Sequence, residues 1–279
     1  PFRMLCHNGE INTVEGNVNL MLAREGQLGS GTLALDGTDW IEPELLRPVL
    51  DVAQSDSAKL DAALELLVLG GRDVRHAQSM LVPQAWEARH DLDADVRDFL
   101  RYHACLIEPW DGPAALIFTD GRRVGAALDR NGLRPLRYHV RGDGLVIAAS
   151  EVGAVRVELP GADVPVRRSR LGPGQMLCVD PDTGGLQEDA AIKRSLADRA
   201  PYGDWLRAGL VPMGTGAPVE HVGEDLLERQ LAYGFTKEEI TAVIRPMATQ
   251  GKEAVSSMGD DTPIESLSLV HRPVSHLLK

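Results

Sequence analysis

The sequence is poor in cysteine, in aromatic residues and in long apolar runs. Its three cysteines, Cys6, Cys105 and Cys178, lie far apart in 279 residues and in no CxxC spacing. This pattern excludes a disulfide framework and favours reduced thiols in a cytoplasmic protein. No apolar run approaches the ~20 residues that a membrane-spanning helix needs, so we expect neither a spanning nor an anchored protein.

Positive charge is scarce as well. The 29 lysines and arginines are outnumbered by 41 aspartates and glutamates, which gives a formal net charge of −12. Because this field repels a phosphate backbone, nucleic acid is not expected as a partner. The 43% of hydrophobic residues is sufficient for one large or two modest domains with a buried core.

Familiar metal and phosphate motifs are missing. The eight histidines never fall into HxxxH or HExxH spacing, and neither GxxxxGK[ST] nor a strand-borne GxGxxG occurs. We therefore expect no metal and no bound cofactor in this segment.

Helical periodicity is clearest over residues 57–69, where apolar residues recur at spacings of three and four. Asp56 is the predicted cap of this helix, and Gly70 is its predicted end. The same kind of pattern predicts shorter or less regular helices over residues 14–25, 73–81 and 94–107.

Short alternating or apolar runs replace the helical period after Pro109. Turn dipeptides such as Asn131-Gly132 separate them, which is typical of an antiparallel meander followed by a hairpin. Helices followed by strands favour an α+β fold. The predicted strands cover residues 114–119, 124–128, 135–140, 145–150, 155–159, 176–180 and 186–188.

The last third is expected to be helical again after residue 189. A stretch rich in glycine and proline predicts a linker over residues 206–222, between a domain at 1–205 and the beginning of a second domain at 223–279. Two helices are predicted in the second domain, over 224–232 and 237–250. Thr236 and Glu239 have capping-box spacing, and Pro246 should kink the second helix.

Two polar sites could carry chemistry. The amide of Asn8 and the backbone N–H of Gly9 could point at one oxygen, as an oxyanion hole requires, or the pair could form a corner between strand and turn. The carboxylate of Asp56 could bind a substrate ammonium, or it could only cap its helix. The residue types alone favour the corner and the cap.

Two further clusters favour structural interpretations. Cys6 and His7 are neighbours on a predicted strand, so their side chains point to opposite faces and cannot share a proton, and a buried inert thiol is expected. In the turn at Asp129-Arg130, an arginine and an aspartate are expected to lock a hairpin by bidentate hydrogen bonds.

Five segments together resemble the large subunit of the glutamate synthase family. Four of them also resemble class II glutamine amidotransferases in general, namely residues 1–17 (PFRMLCHNGEINTVEGN), 55–57 (SDS), 108–113 (EPWDGP) and 129–136 (DRNGLRPL). The fifth, residues 235–268, resembles the start of the central domain peculiar to glutamate synthase. It shows neither the phosphoribosyl nor the ATP-pyrophosphatase signature that other class II enzymes would require.

The resemblance implies an N-terminal-nucleophile fold, in which two antiparallel sheets lie between helical layers (αββα), followed by the helical start of an α/β central domain. In this family the thiol of an N-terminal cysteine attacks the side-chain amide of glutamine. Asn8 and Gly9 then match the oxyanion hole, and Asp56 matches the carboxylate that holds the α-ammonium of glutamine.

Two elements of the family's site have no counterpart in this sequence. They are the terminal nucleophilic cysteine and an arginine just before the opening strand, since residue 1 is Pro1 and Cys6 has no free α-amino group. We therefore expect a fragment of a longer polypeptide that is inactive by itself. The alternative is a nucleophile-free module that binds glutamine or docks a partner.

For the complete enzyme, the resemblance implies that ammonia from glutamine adds to 2-oxoglutarate and that reduction yields glutamate. FMN and a [3Fe-4S] cluster are expected there, outside these 279 residues. The electron donor would be either a small NADPH-oxidising flavoprotein subunit or ferredoxin.

Overall fold

The computed structural model describes residues 2–28, 34–35, 39–40, 43–156, 164–182, 185–211, 225–251 and 253–254. The chain divides into two compact units, Pro1–Val211 and Pro212–Lys279. Among the described residues, no helix has the length and apolar character needed to cross a membrane.

The first unit contains helices with local capping signals in the sequence. Ser55 caps α2, because its side chain accepts the N–H of Ala58, and Asp73 and Asp93 cap the next two helices in the same way. The helices are α1 (Val14–Glu25), a 3₁₀ turn (Pro43–Leu46), α2 (Asp56–Leu69), α3 (Val74–Leu81), α4 (Ala94–Ala104), α5 (Asp189–Ala197) and α6 (Tyr202–Gly209).

The strands of the first unit are all paired antiparallel. They are β1 (Leu5–Gly9), β2 (Ala34–Leu35), β3 (Asp39–Trp40), β4 (Ala114–Thr119), β5 (Val124–Leu128), β6 (Arg137–Arg141), β7 (Val146–Ala149), β8 (Val166–Arg170), β9 (Met176–Asp180) and β10 (Gly185–Glu188). A five-stranded sheet has the order β1-β4-β5-β9-β10, a three-stranded sheet has the order β7-β6-β8, and β2 pairs with β3.

Alternation along β4 explains how the layers pack. Leu116 and Phe118 face a core shared with α2, α3 and α4, whereas Ala115 and Ile117 pack against a second core that contains Tyr138 of the smaller sheet. The described residues therefore form a helical layer, the large sheet and the small sheet. The α+β prediction is confirmed.

The predicted meander is wrong. The hairpin of β4 and β5 exists, but β5 pairs next with β9, and β6 and β7 belong to the other sheet. Hairpin signals reveal only local pairing, and the partner of β5 lies about fifty residues further on. The predicted strand at 155–159 is absent at 155–156, and residues 157–159 lie outside the described ranges.

Helix boundaries also differ from the predictions. Ser55, not Asp56, is the N-cap of α2, and Asp56 is its first helical residue. The helix α4 ends at Ala104 rather than at residue 107, because the N–H groups of Leu106 and Ile107 both turn back to the carbonyl of His103.

The second unit contains α7 (Leu226–Ala232), α8 (Lys237–Glu239), a π-helical segment (Ile240–Ile244) and α9 (Arg245–Gln250). The capping box is confirmed, since Glu239 N–H donates to Thr236 Oγ1 at 3.1 Å and Thr236 N–H donates to Glu239 Oε2 at 2.8 Å. Near Pro246, where a kink is predicted, the helix contains the π-helical segment Ile240–Ile244. Pro246 has no N–H to donate, and a wider turn accommodates its ring.

Candidate functional site

Asn8 and Gly9 lie at the end of β1, opposite Ala115 and Ala114 of β4. The side chain of Asn8 is exposed, and its amide makes no hydrogen bond within the described residues. An exposed, uncommitted amide at a strand end can donate to a bound ligand, which the turn-corner interpretation does not require.

Gly9 is required by the backbone geometry. Its φ is 142°, and an ideal Cβ at this position would lie 1.8 Å from the carbonyl oxygen of Pro113. The approach is reciprocal, since a Cβ on Gly112 would lie 1.9 Å from the carbonyl oxygen of Glu10. Only glycine lets the end of β1 run this close to the segment before β4.

The carboxylate of Asp56 is tied to the end of β1. Asp56 Oδ2 accepts the N–H of Ile11 at 3.1 Å, and Oδ1 accepts the N–H of Ser57 at 2.7 Å. Although burial by itself raises the pKa of Asp56, these hydrogen bonds outweigh it and hold the pKa below its usual value. Asp56 is therefore a half-buried carboxylate that is ionised at neutral pH. It contacts the backbone of Ile11, two residues beyond Gly9.

His7 and Ser57 form a second link between β1 and α2, which the sequence did not reveal. His7 Nε2 lies 2.7 Å from Ser57 Oγ, and the same hydroxyl lies 3.3 Å from Asp56 Oδ1. Burial lowers the pKa of His7, while the charge of Asp56 opposes this shift, so His7 is neutral at pH 7. The available signal was the strand period of two, which places His7 and Gly9 on the same face.

Asp61 is the other residue that the sequence analysis missed. It is 5% exposed and accepts three backbone N–H groups at the start of β1. The donors are Arg3 at 2.9 Å, Met4 at 2.8 Å and Leu5 at 2.7 Å. An aspartate beside Leu60 on the apolar side of α2 was the available signal, because a carboxylate is rarely buried unless it is paired.

Two structural expectations are wrong. Cys6 is exposed rather than buried, because β1 turns its even-numbered residues outward.

Asp129 is fully buried, but it bonds the backbone N–H groups of Ala114, Asn131 and Gly132 rather than an arginine. Arg130 pairs instead with Asp111 at 2.5 Å. Buried carboxylates satisfy turn N–H groups as effectively as they satisfy guanidinium groups.

The described part of the chain does not fit an iron–sulfur cluster. No group of three histidine, cysteine, aspartate or glutamate side chains there could hold a metal ion. Cys6 lies on β1, Cys105 follows α4, and Cys178 is buried in β9, where burial raises its pKa to about 11.

Comparison with protein families defines the class. The family model for class-II glutamine amidotransferases matches residues 1–205, which include the end of β1 and the start of α2 described above. The chain belongs to this family. A second model, for the glutamate synthase central domain, matches residues 228–279.

Curated relatives make the similarity more specific. The chain is 43% identical to ferredoxin-dependent glutamate synthase 2 of Synechocystis, over 98% of the chain and 17% of the relative. It is 42% identical to the NADPH glutamate synthase large chain of Bacillus subtilis, over 96% and 17%, and 41% identical to that of Azospirillum brasilense, over 100% and 18%. The chain thus spans less than a fifth of these relatives' length, and the resemblance to part of the glutamate synthase large subunit is confirmed.

Proposed function

We propose that this chain forms the glutamine site of the amidotransferase part of a glutamate synthase. We infer that it is part of a longer protein, the parent polypeptide. The hydrogen bond between Ile11 N–H and Asp56 Oδ2 supports this proposal most strongly, because it ties an ionised carboxylate to the strand end that carries Asn8 and Gly9.

Each residue has a distinct role in this proposal. Asp56 binds the α-ammonium of glutamine through its oxygens. The side-chain amide of Asn8 and the N–H of Gly9 stabilise the negative oxygen that develops when the side-chain amide of glutamine is attacked. His7 and Ser57 touch no reacting atom and position the carboxylate.

The nucleophile in the proposal is a cysteine at the N-terminus of the parent polypeptide. Its thiol gives its proton to the α-amine and forms a bond to the amide carbon, while the carbonyl electron pair moves to oxygen. The tetrahedral intermediate then collapses, the carbon–nitrogen bond breaks, and ammonia leaves with the proton that the α-ammonium returns. Water hydrolyses the resulting thioester, which releases glutamate and restores the thiol. The 279 residues alone would have no glutaminase activity.

The remaining chemistry is proposed for regions outside this chain. Ammonia would add to 2-oxoglutarate, and FMN together with a [3Fe-4S] cluster would supply the electrons that reduce the product to glutamate. The names of the relatives support either NADPH or ferredoxin as the electron donor, and with NADPH the proposal includes a small flavoprotein subunit. The three free cysteines support a reducing, cytoplasmic location.

The proposal is tested with Asn8→Ala in the parent polypeptide. Loss of one oxyanion donor should lower kcat for glutamine hydrolysis by about 10²–10³-fold with a smaller change in KM. Asn19→Ala is the matched control, because Asn19 is an exposed residue of α1. Equal kcat values for Asn8→Ala and Asn19→Ala would contradict the assignment of Asn8 to the oxyanion hole.

Calorimetry of glutamine with the 279-residue chain tests the alternative of a binding module. The proposal expects weak or undetectable heat, because neither the nucleophile nor the arginine expected for the substrate carboxylate is present in it. Tight, Asp56-dependent binding would favour a glutamine-binding module instead.

A further inference from the structure

A depression on the helical side of the first unit is not used by the proposed glutamine site. Its volume is about 410 Å³, which is in the range of small-molecule pockets. Its walls come from the turn after α2, from α3 and α4, and from the segment that leads into α6. The residues that matter are Arg72, His76, His103, Arg199, Tyr202 and Trp205.

Two buried histidines form the floor of this depression. His76 and His103 are 9% and 5% exposed, and their Nε2 atoms lie 2.8 Å apart. His103 Nδ1 lies 2.7 Å from the carbonyl oxygen of Phe99, which can only accept, so this nitrogen carries a proton. Neutral His103 then accepts at Nε2, His76 donates from Nε2, and His76 Nδ1 is left as an acceptor.

The histidine pair carries no charge at neutral pH. Burial lowers the pKa of His76 to about 3, with further contributions from His103 and Arg199, and burial lowers the pKa of His103 to about 4. Positive charge in the depression therefore comes from the arginines alone.

The described residues that line the depression include two arginines, Arg72 and Arg199, and no carboxylate. Arg199 pairs with Asp73, behind the lining, at 2.9 Å. Arg72 is half-buried, and its guanidinium pairs with no carboxylate within the described ranges. In a chain with a net charge of −12, Arg72 is therefore a cation that is available to an anionic ligand.

An aromatic wall borders the cationic floor. Trp205 is 45% exposed and lies edge-on to Tyr202, with ring centroids 5.5 Å apart. A ligand held by the arginines would have this indole ring available for its apolar part.

We propose that this depression binds a small oxyanion ligand, with a phosphate or carboxylate group held by Arg72 and Arg199. The forked geometry of guanidinium suits both groups, and neutral His76 Nδ1 can accept from a hydroxyl or amine on the same ligand. The inference does not rest on the proposed amidotransferase function.

The test titrates inorganic phosphate and, separately, succinate into the 279-residue chain at constant ionic strength. Calorimetry measures affinity, and tryptophan fluorescence reports on Trp205, with Trp205→Phe as the control that removes the optical signal but not the heat. Saturable binding of at least one anion is expected. Phosphate binding alone would assign a phosphate ligand, and succinate binding alone a carboxylate ligand.

Arg72→Gln should weaken this binding by about 10- to 100-fold, and Arg72→Lys by less, because lysine keeps the charge but not the fork. Arg101→Gln makes the same change of charge on the exposed surface of α4 and should leave affinity unchanged. Far-UV circular dichroism checks that each variant is folded. Absence of saturable heat with either anion, or equal affinities of Arg72→Gln and Arg101→Gln, would overturn the proposal.

Discussion

Two aspartates on the same helix hold opposite ends of the same strand. Asp61 lies in the second turn of α2 and accepts three backbone N–H groups at the start of β1. Asp56 is the first residue of α2 and accepts the N–H of Ile11 just beyond the end of β1. Both carboxylates are hydrogen-bonded, but only Asp56 is accessible, because Asp61 is buried to 5% exposure.

This difference separates a structural carboxylate from a binding one. Asp61 accepts backbone N–H groups that lie more than fifty residues away in sequence, and the bond from Leu5 is buried, so weakening the acceptor leaves a buried donor poorly satisfied. Oδ2 of Asp56 makes a single bond, and a carboxylate oxygen can accept two. The start of β1 should therefore govern stability, and its end should govern binding of glutamine.

The largest expected effect is at the strand end itself. Gly9→Ala should lower the free energy of unfolding by about 3–5 kcal/mol, because the added Cβ meets the Pro113 carbonyl and φ is positive. Urea denaturation measures the change. Gly16→Ala is the control in α1, where nothing lies within 4 Å, and it should be neutral or stabilise by about 0.5–1 kcal/mol. If Gly9→Ala lowered the free energy of unfolding by less than an ordinary surface substitution does, the close approach of Gly9 to the Pro113 carbonyl would be contradicted.

Asp61→Asn should be the next most damaging change. Three charge-assisted hydrogen bonds, one buried and two part-buried, are weakened at once, so we expect the free energy of unfolding in urea to fall by about 2–4 kcal/mol. Asp56→Asn should cost about 1 kcal/mol or less in the same assay, since the residue is partly exposed. Equal losses for the two variants would mean that both aspartates are structural.

Ser57→Ala tests whether the hydroxyl between His7 and Asp56 positions the carboxylate. In the parent polypeptide, KM for glutamine should rise a few-fold with kcat unchanged, as expected from about 1 kcal/mol of lost hydrogen bonding. Ser55→Ala is the neighbouring control and should cost about 1 kcal/mol of stability through the lost helix cap, without a change in KM. If Ser55→Ala raised KM and Ser57→Ala did not, the positioning role would belong to Ser55 rather than to Ser57.

The smallest effect is on the titration of His7. Because the charge of Asp56 raises the pKa of His7, Asp56→Asn should lower that pKa further, and Asp61→Asn should leave it unchanged. The Cε1–H resonance of His7, followed by NMR across the pH range in which the protein is folded, measures the shift. A rise in the pKa of His7 in Asp56→Asn would be inconsistent with the contact.

Local features of the sequence predicted a large part of the fold. The apolar spacing in α2 and the alternation in β4 and β5 located these elements closely. The pairing of β5 with β9 was not predictable from turns, because it depends on contacts between distant segments. The edge strand β8 was missed, since Val166–Arg170 is mostly polar and exposed and carries no apolar alternation.

The sequence named candidate site residues but not the contacts that connect them. Residue type marked Asn8, Gly9 and Asp56 as candidates but favoured a turn corner and a helix cap, and the resemblance to the family then assigned them to a glutamine site. The contacts of Ile11 with Asp56 and of His7 with Ser57 join residues about fifty positions apart, and no local pattern encodes them. Asp61 was missed because periodicity assigns an aspartate to the solvent side of a helix.

The most direct measurement is kcat/KM for glutamine hydrolysis by Asp56→Asn and Asp61→Asn, compared in the parent polypeptide at a temperature where both remain folded. Asp56→Asn should lose about 10- to 100-fold, because an ammonium loses its ionic partner, and Asp61→Asn should stay close to the unsubstituted protein. Unchanged kcat/KM in Asp56→Asn, or an equal loss in both variants, would contradict the assignment of the glutamine site to the end of β1.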